Sequence, residues 1–456
     1  MKIIVNKLIA GILPVTLLCC LLGSCDQFLD ARPDKKLVVP ATLADMQAMI
    51  DNYSSMSSNT PGAGEASSAD FYLTDADWAA RGEFDRRVYT WEKDHLFATG
   101  DLGNDWSYCF GSTYICNTVL EGLPKIGRTA ANAATWDDVK GQALFYRGMN
   151  YLNAAWVWCM PYDDESGAMG LPLRLSPDFN TPSLRSTLKE TYGQLLDDLK
   201  ASVPLLPAKT MHPLRPCKAA AWGVLAKAYL SMRKYTEAGL YADSCLQVNS
   251  ALLDYNTLNA SASYPIAKAN AEVVFDRAAA MPPPLNPSRA KVDSNLYALY
   301  PEGDLRKTVF FKRNTNGTYA FKGSYLGTLG VFSGIATDEM YLIRAEAYAR
   351  AGQTEKALAD LNALLRKRWN RNFFREVNAA TGAEALQLIL LERRKELLMR
   401  TLRWMDIKRL NMEGAGISLS RKINGQVYTL PANDLRFALP IPDDVISLSG
   451  MQQNPR

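Results

Sequence analysis

The sequence predicts a mainly α-helical fold, a scaffold of helical hairpins with irregular, loop-rich insertions. Three observations predict it. Apolar residues recur at three- and four-residue spacing through about 105–250 and 335–411. Small residues take matched places in two of the hairpins. Between them, about 54–103 and 250–334 lose the helical period and become rich in Gly, Pro, Ser, Asp and aromatic residues. A hydrophobic fraction of 48% with 21% charged residues is that of a globular chain, and 456 residues suffice for a large core. The net charge is only +4, which provides no electrostatic footprint for nucleic acid.

The N-terminus is a different kind of segment. Lys2 and Lys7 precede an apolar run from Leu8 to Leu22, and about fifteen residues is short for a membrane-spanning helix but right for a signal peptide. The run ends in Leu22-Gly23-Ser24-Cys25, where two small residues admit a peptidase and a thiol follows to be alkylated. This resembles a bacterial lipobox. The expected organisation is a signal peptide over 1–24, a lipidated tether over 25–40 beginning at Cys25, and a single domain over 41–456. Cys109, Cys116, Cys159, Cys217 and Cys245 then remain, an odd set among apolar neighbours that reads as buried thiols.

In chain order, Leu43, Met46 and Ile50 lie on one side of a helix over Thr42–Asn52. Helices are expected over Asp105–Leu123 and Asp137–Trp158, with Cys159-Met160-Pro161 ending the second. A further helix over Arg185–Val203 is capped at Ser186 or Thr187 and stopped by Pro204. Lys218–Met232 and Thr236–Val248 make a tight pair, and Glu384–Leu410 reads as one late helix. Short extended runs are expected at Glu272–Phe275, Thr308–Lys312, Gln426–Leu430 and Phe437–Pro442. Val445–Arg456 reads as a surface strap.

Trp222, Leu225, Ala226, Tyr229, Tyr235, Ala238, Ala242 and Cys245 follow the spacing of a tetratricopeptide repeat, where large residues fill a hairpin and small ones let its helices approach. Tyr341, Ala345, Tyr348, Ala357, Leu361 and Leu364 repeat it, with Arg344 departing from the apolar consensus. Leu144, Gly148 and Tyr151 form a half-repeat.

Chemistry is sparse. The two histidines are His95 and His212, and H-E-x-x-H, G-x-S-x-G, P-loop, dinucleotide and C-x-x-C patterns are all missing. No catalytic residue, metal or cofactor is expected. Asp75, Asp77, Asp94 and Asp101 read as solvated carboxylates or acceptors of sugar hydroxyls. Around them stand Tyr72, Trp78, Phe84, Tyr89, Trp91, Phe97 and Trp106, rings that stack on sugars or grip peptide side chains, or else staple the loop to the core.

Several segments together resemble the SusD/RagB family, surface lipoproteins of Bacteroidetes that work with TonB-dependent transporters. They are Ser24-Cys-Asp-Gln-Phe-Leu-Asp30, Gly141-Gln-Ala-Leu-Phe-Tyr-Arg147 onward to Trp158, Met160-Pro161-Tyr162 and Gly170-Leu-Pro172-Leu. Later come Leu391-Glu-Arg-Arg-Lys-Glu-Leu397, Arg403-Trp404-Met-Asp406-Ile-Lys408-Arg409, Phe437-Ala-Leu-Pro440-Ile-Pro442 and Gln453-Asn-Pro455. Arg400-Thr401 stands where the family usually has Glu-Gly, and Leu448-Ser449 where Asn-Pro is frequent. The resemblance implies a tetratricopeptide-like scaffold and a non-enzymatic role at the outer membrane. It further implies capture of an oligosaccharide, or of a peptide, for a SusC-like transporter partner. By the same resemblance the ligand-binding candidates are Trp78, Trp91, Asn104, Tyr297, Tyr300 and Tyr325.

Overall fold

Among the described residues, nine helices of nine residues or longer build the scaffold, in a computed structural model that describes residues 40–57, 60–97 and 104–456. They are α1 (Asp105–Ile126), α2 (Ala133–Trp158), α3 (Leu188–Leu205), α4 (Lys218–Ser231), α5 (Tyr235–Val248), α6 (Thr337–Arg350), α7 (Thr354–Arg368), α8 (Gly382–Glu396) and α9 (Arg403–Asn411). All lie within one unit, Thr42–Arg456. The expected signal peptide, Cys25 and nearly all of the tether lie outside the described residues, as does Asp101. Among the described residues no helix is long and apolar enough to cross a membrane.

Sequential helices pack pairwise, from α1 on α2 through to α6 on α7, and α5 on α6 joins the two repeat hairpins. Small residues make this possible. Ala238, Ala242, Ala345 and Ala357 are fully buried, and a methyl group at Gly239 would stand 2.6 Å from Ala347 Cβ, so α5 and α6 can approach only without one. Gly148 marks the half-repeat, because a Cβ there would meet Leu199 Cγ at 2.8 Å and the Leu195 carbonyl oxygen at 3.0 Å on α3. Arg344, the apparent misfit, spans three helices: it grips Asp360 with bonds of 2.8 and 2.7 Å and Asp243 with one of 2.7 Å. The five cysteines are buried free thiols.

Thr187, one of the two expected caps, is the one used, and several other expectations are corrected. The helix after Arg185 begins at Leu188, capped by Thr187, because Arg185–Thr187 pairs as a strand with Met169–Pro172. It also runs through Pro204 to Leu205, one residue past the proline, where the ring forfeits an intrahelical donor at the very end of the helix. The run Thr308–Lys312 is a helical turn, Arg306–Val309, followed by a strand over Phe311–Arg313 paired with Tyr319–Phe321. Phe437–Pro442 begins in a 3₁₀ turn rather than a strand, and Asp443–Ser449 in the tail is helical. The late helix is two helices, α8 and α9, broken where Met399 and Thr401 take φ of 55° and 60°.

That break explains why a glycine is at home beside Arg400. A β-branched residue in the left-handed region is strained by roughly 1–2 kcal/mol. Thr401→Gly is expected to gain about 1 kcal/mol after the entropy lost by adding a glycine, read as a higher denaturant midpoint at unchanged slope. A destabilised variant would contradict the strain.

The two insertions join into one layer over the scaffold. Thr60 bridges Ala279, Phe71–Tyr72 pairs with Lys291–Val292, and Lys291 Nζ meets Asp77 at 2.6 Å. Phe71, Tyr255, Leu296, Phe310 and Phe332 belong to a second apolar core beneath this layer.

Buried ion pairs bolt the layer down. Arg306 reaches Asp304, Glu392 and Glu396 at 2.7, 2.6 and 3.0 Å, and Arg368 reaches Glu396 and Glu272 at 2.6 and 2.7 Å. Arg393 and Arg409 both hold Asp406, and Arg409 also holds Glu346 at 2.7 Å. The charged run Leu391–Leu397 and its companion Arg403–Arg409 therefore work as structural joints.

Candidate functional site

The N-terminus of α1 meets both insertions in a cleft of about 940 Å³ lined by residues 63, 82–85, 104, 105, 108 and 280–283. Asn104 caps α1: its side-chain oxygen accepts from Ser107 N at 3.0 Å while Ser107 Oγ accepts from Asn104 N at 3.1 Å. Asp105, the first residue of the helix, accepts from the backbone N–H groups of Gly62 and Ala63, both at 2.8 Å. This fixes the first insertion against the scaffold. Tyr108 follows one turn later on the same side and is 42% exposed, leaving ring surface to the cleft.

Opposite stand Glu83, Phe84 and Asp85 from the helix Glu83–Tyr89, with Met281, Pro282 and Pro283 from the second insertion. Burial raises Asp85 to about 6. It raises Asp105 to about 6 as well, against the two backbone donors and with the charge of Asp85 adding to the rise. Both carboxyls are mainly ionised at neutral pH. The cleft thus combines ring faces with convergent hydrogen-bond acceptors, the composition of a site for a small polar ligand.

Two other concave surfaces are less suited. A crevice of about 430 Å³ within the second insertion, lined by Tyr264, Leu285, Phe321, Leu329 and Met399 among others, is almost wholly apolar. A groove on α1 carries Trp106, Phe110, Tyr114 and Phe179, which pair at 4.4 and 5.0 Å as Phe84 of the first cleft does with Phe97 at 4.9 Å, but among the described residues its lining contains no carboxylate. Its Asn117 is occupied by the Arg174 carbonyl and by Arg147.

Of the six expected ligand residues, Asn104 alone lines the cleft. Trp91, Tyr300 and Tyr325 are core residues, at most 4% exposed, and this corrects their expected role. The Trp91 indole donates to Ser67 O at 3.0 Å, and the buried Arg421 guanidinium lies 4.8 Å from its ring. Tyr300 donates to Lys395 O at 2.8 Å, and Tyr325 bonds Glu272 and Asp338. Trp78 and Tyr297 are half-buried. Trp78 donates to Arg86 O at 3.3 Å, and Tyr297 stacks on Tyr319 with centroids 3.7 Å apart. Tyr108, Asp85 and Asp105 were missed by sequence reasoning. The signal for two of them was present, since Asn104, Asp105 and Tyr108 share one side of a first helical turn.

Comparison with known proteins agrees with this architecture. A family model described as starch-binding associating with outer membrane matches residues 27–230, and a model of the SusD family matches 337–456. A SusD superfamily protein from Bacteroides thetaiotaomicron is 22% identical with a TM-score of 0.74, over 91% of this chain and 100% of its own. A putative sugar binding protein from Bacteroides vulgatus is 22% identical with a TM-score of 0.75, over 92% and 99%. A laminarin binding SusD-like protein is 18% identical with a TM-score of 0.67, over 90% and 98%. No curated protein sequence matches the chain.

Proposed function

Because the chain belongs to the SusD/RagB family, whose members are nutrient-binding proteins and not enzymes, we propose that it binds an oligosaccharide in the α1 cleft and delivers it to a SusC-like TonB-dependent transporter. It is held at the outer membrane, facing outward, by lipid on Cys25. The observation that carries the binding site is the convergence of Tyr108 and Phe84 rings with Asn104, Asp85 and Asp105 in one cleft. Sugar rings stack on aromatic faces and their hydroxyls need acceptors, and this lining supplies both. The laminarin-binding protein of the same fold supports a saccharide. Trp78 and Tyr297, both half-buried, stay as proposed ligand residues outside the cleft.

Tyr108→Ala tests this reading. Once a saccharide array has identified a ligand, calorimetry is expected to show affinity falling about tenfold or more, the loss of one stacking contact worth roughly 1.4 kcal/mol. Tyr300→Phe, buried away from the cleft, is expected to leave affinity unchanged. An undiminished Tyr108→Ala would move the site elsewhere, and binding of peptides without any saccharide would replace the ligand class.

A further inference from the structure

Asp85 is 8% exposed and makes no hydrogen bond or ion pair among the described residues. A carboxylate drawn largely out of water, with only the open cleft left to it and no partner, is costly. Asp105 stands close enough for the two like charges to repel, and its two backbone donors compensate only its own charge. Among the described residues the cleft lining holds Glu83, Asp85 and Asp105 but no Lys, Arg or His. Glu83 already pairs with Arg87 on the outside. The charge of Arg81 acts favourably on Asp85, but its Nε donates to the Asp77 carbonyl at 3.1 Å and the residue does not line the cleft.

What completes such a lining is a positive group. A neutral hydroxyl would satisfy a lone pair of Asp85 but leave the repulsion between the carboxylates standing. An anion would add to it. An ammonium answers both carboxylates and is also attracted by ring faces, here those of Phe84 and Tyr108. A metal ion fits less well, because no group of three or more His, Cys, Asp or Glu side chains among the described residues is arranged to hold one.

We propose that the cleft selects saccharides carrying free amines, such as oligomers of glucosamine, with Asp85 pairing the ammonium and Tyr108 stacking on the ring that bears it. This rests on the cleft being the saccharide site. It adds a charge requirement that the fold does not impose, and it excludes uronic and sulfated glycans.

Calorimetry on the full-length protein at neutral pH decides it, with a glucosamine hexasaccharide, its fully N-acetylated counterpart and an oligogalacturonate as probes. The free-amine ligand is expected to bind about tenfold or more tighter than the N-acetylated one, with no binding of the acidic one, and added salt is expected to narrow the gap. Asp85→Asn, nearly isosteric, is expected to erase the preference. Equal or tighter binding of the N-acetylated or acidic ligand overturns the proposal, as does absence of glucosamine binding or a preference that survives Asp85→Asn. Tyr108→Ala separates the two levels. If it abolishes saccharide binding while amines confer no advantage, only the charge requirement fails; if it leaves saccharide binding intact, the cleft itself is the wrong site.

Discussion

Arg368→Met is expected to cost about 3–5 kcal/mol of folding stability, the usual result of removing one partner from a buried ionic cluster. Its guanidinium lies fully buried between Glu396 and Glu272, donates to Leu253 O at 2.7 Å and sits 4.1 Å over the Tyr255 ring. Methionine fills similar space but leaves two carboxylates without their common cation. Glu272 already sits near 7 with Arg368 beside it, so the variant is expected to keep Glu272 neutral at physiological pH and to lose further stability as pH rises. The sign follows from linkage: a carboxyl raised in the folded state binds protons there that the unfolded chain has released. Urea unfolding followed by circular dichroism measures the loss. Arg366→Met is the control, since the Arg366 pair with Glu376 is more than half exposed and surface pairs contribute less than about 1 kcal/mol. A similar small effect at both positions would show that the buried cluster does not hold the layer.

Cys25→Ala is expected to move the protein from the membrane fraction to the soluble fraction entirely, with its melting transition and saccharide affinity unchanged. The effect is all-or-none if the proposed lipid on Cys25 is the attachment, which is the point the fractionation tests. Uptake of the ligand is expected to fail while binding survives. Retention of the variant at the cell surface would sink the proposed anchor.

The helices of the scaffold were legible because helix periodicity and small-residue spacing are local patterns. Trp222–Cys245 and Tyr341–Leu364 could be aligned without knowing what packed against them. The break between α8 and α9 was not legible. No breaker marks it, since the run Leu391–Leu410 contains no proline or glycine. The chain turns there through the pairing of Arg400 with Asp338 at 3.1 Å and of Arg393 with Asp406 at 2.8 Å, contacts that exist only in the folded molecule.

The proposed ligand surface divides in the same way. Its aromatic enrichment was visible, but which rings stay open was not. Trp91 and Tyr325 look as suitable as Tyr108 when residues are read one by one, yet the first two are consumed by Arg421 and by Glu272 and Asp338. The helical scaffold and the family are written in contiguous or regularly spaced residues, so the chain alone specifies them; the anchor proposed at Cys25 is likewise read from a contiguous run. The site is not written that way, because a cleft built from residues 82–85, 104, 105, 108 and 280–283 comes into being only when distant segments meet. Burial is likewise a property of that meeting, and it is burial that leaves Asp85 without a partner and Tyr108 with an open face.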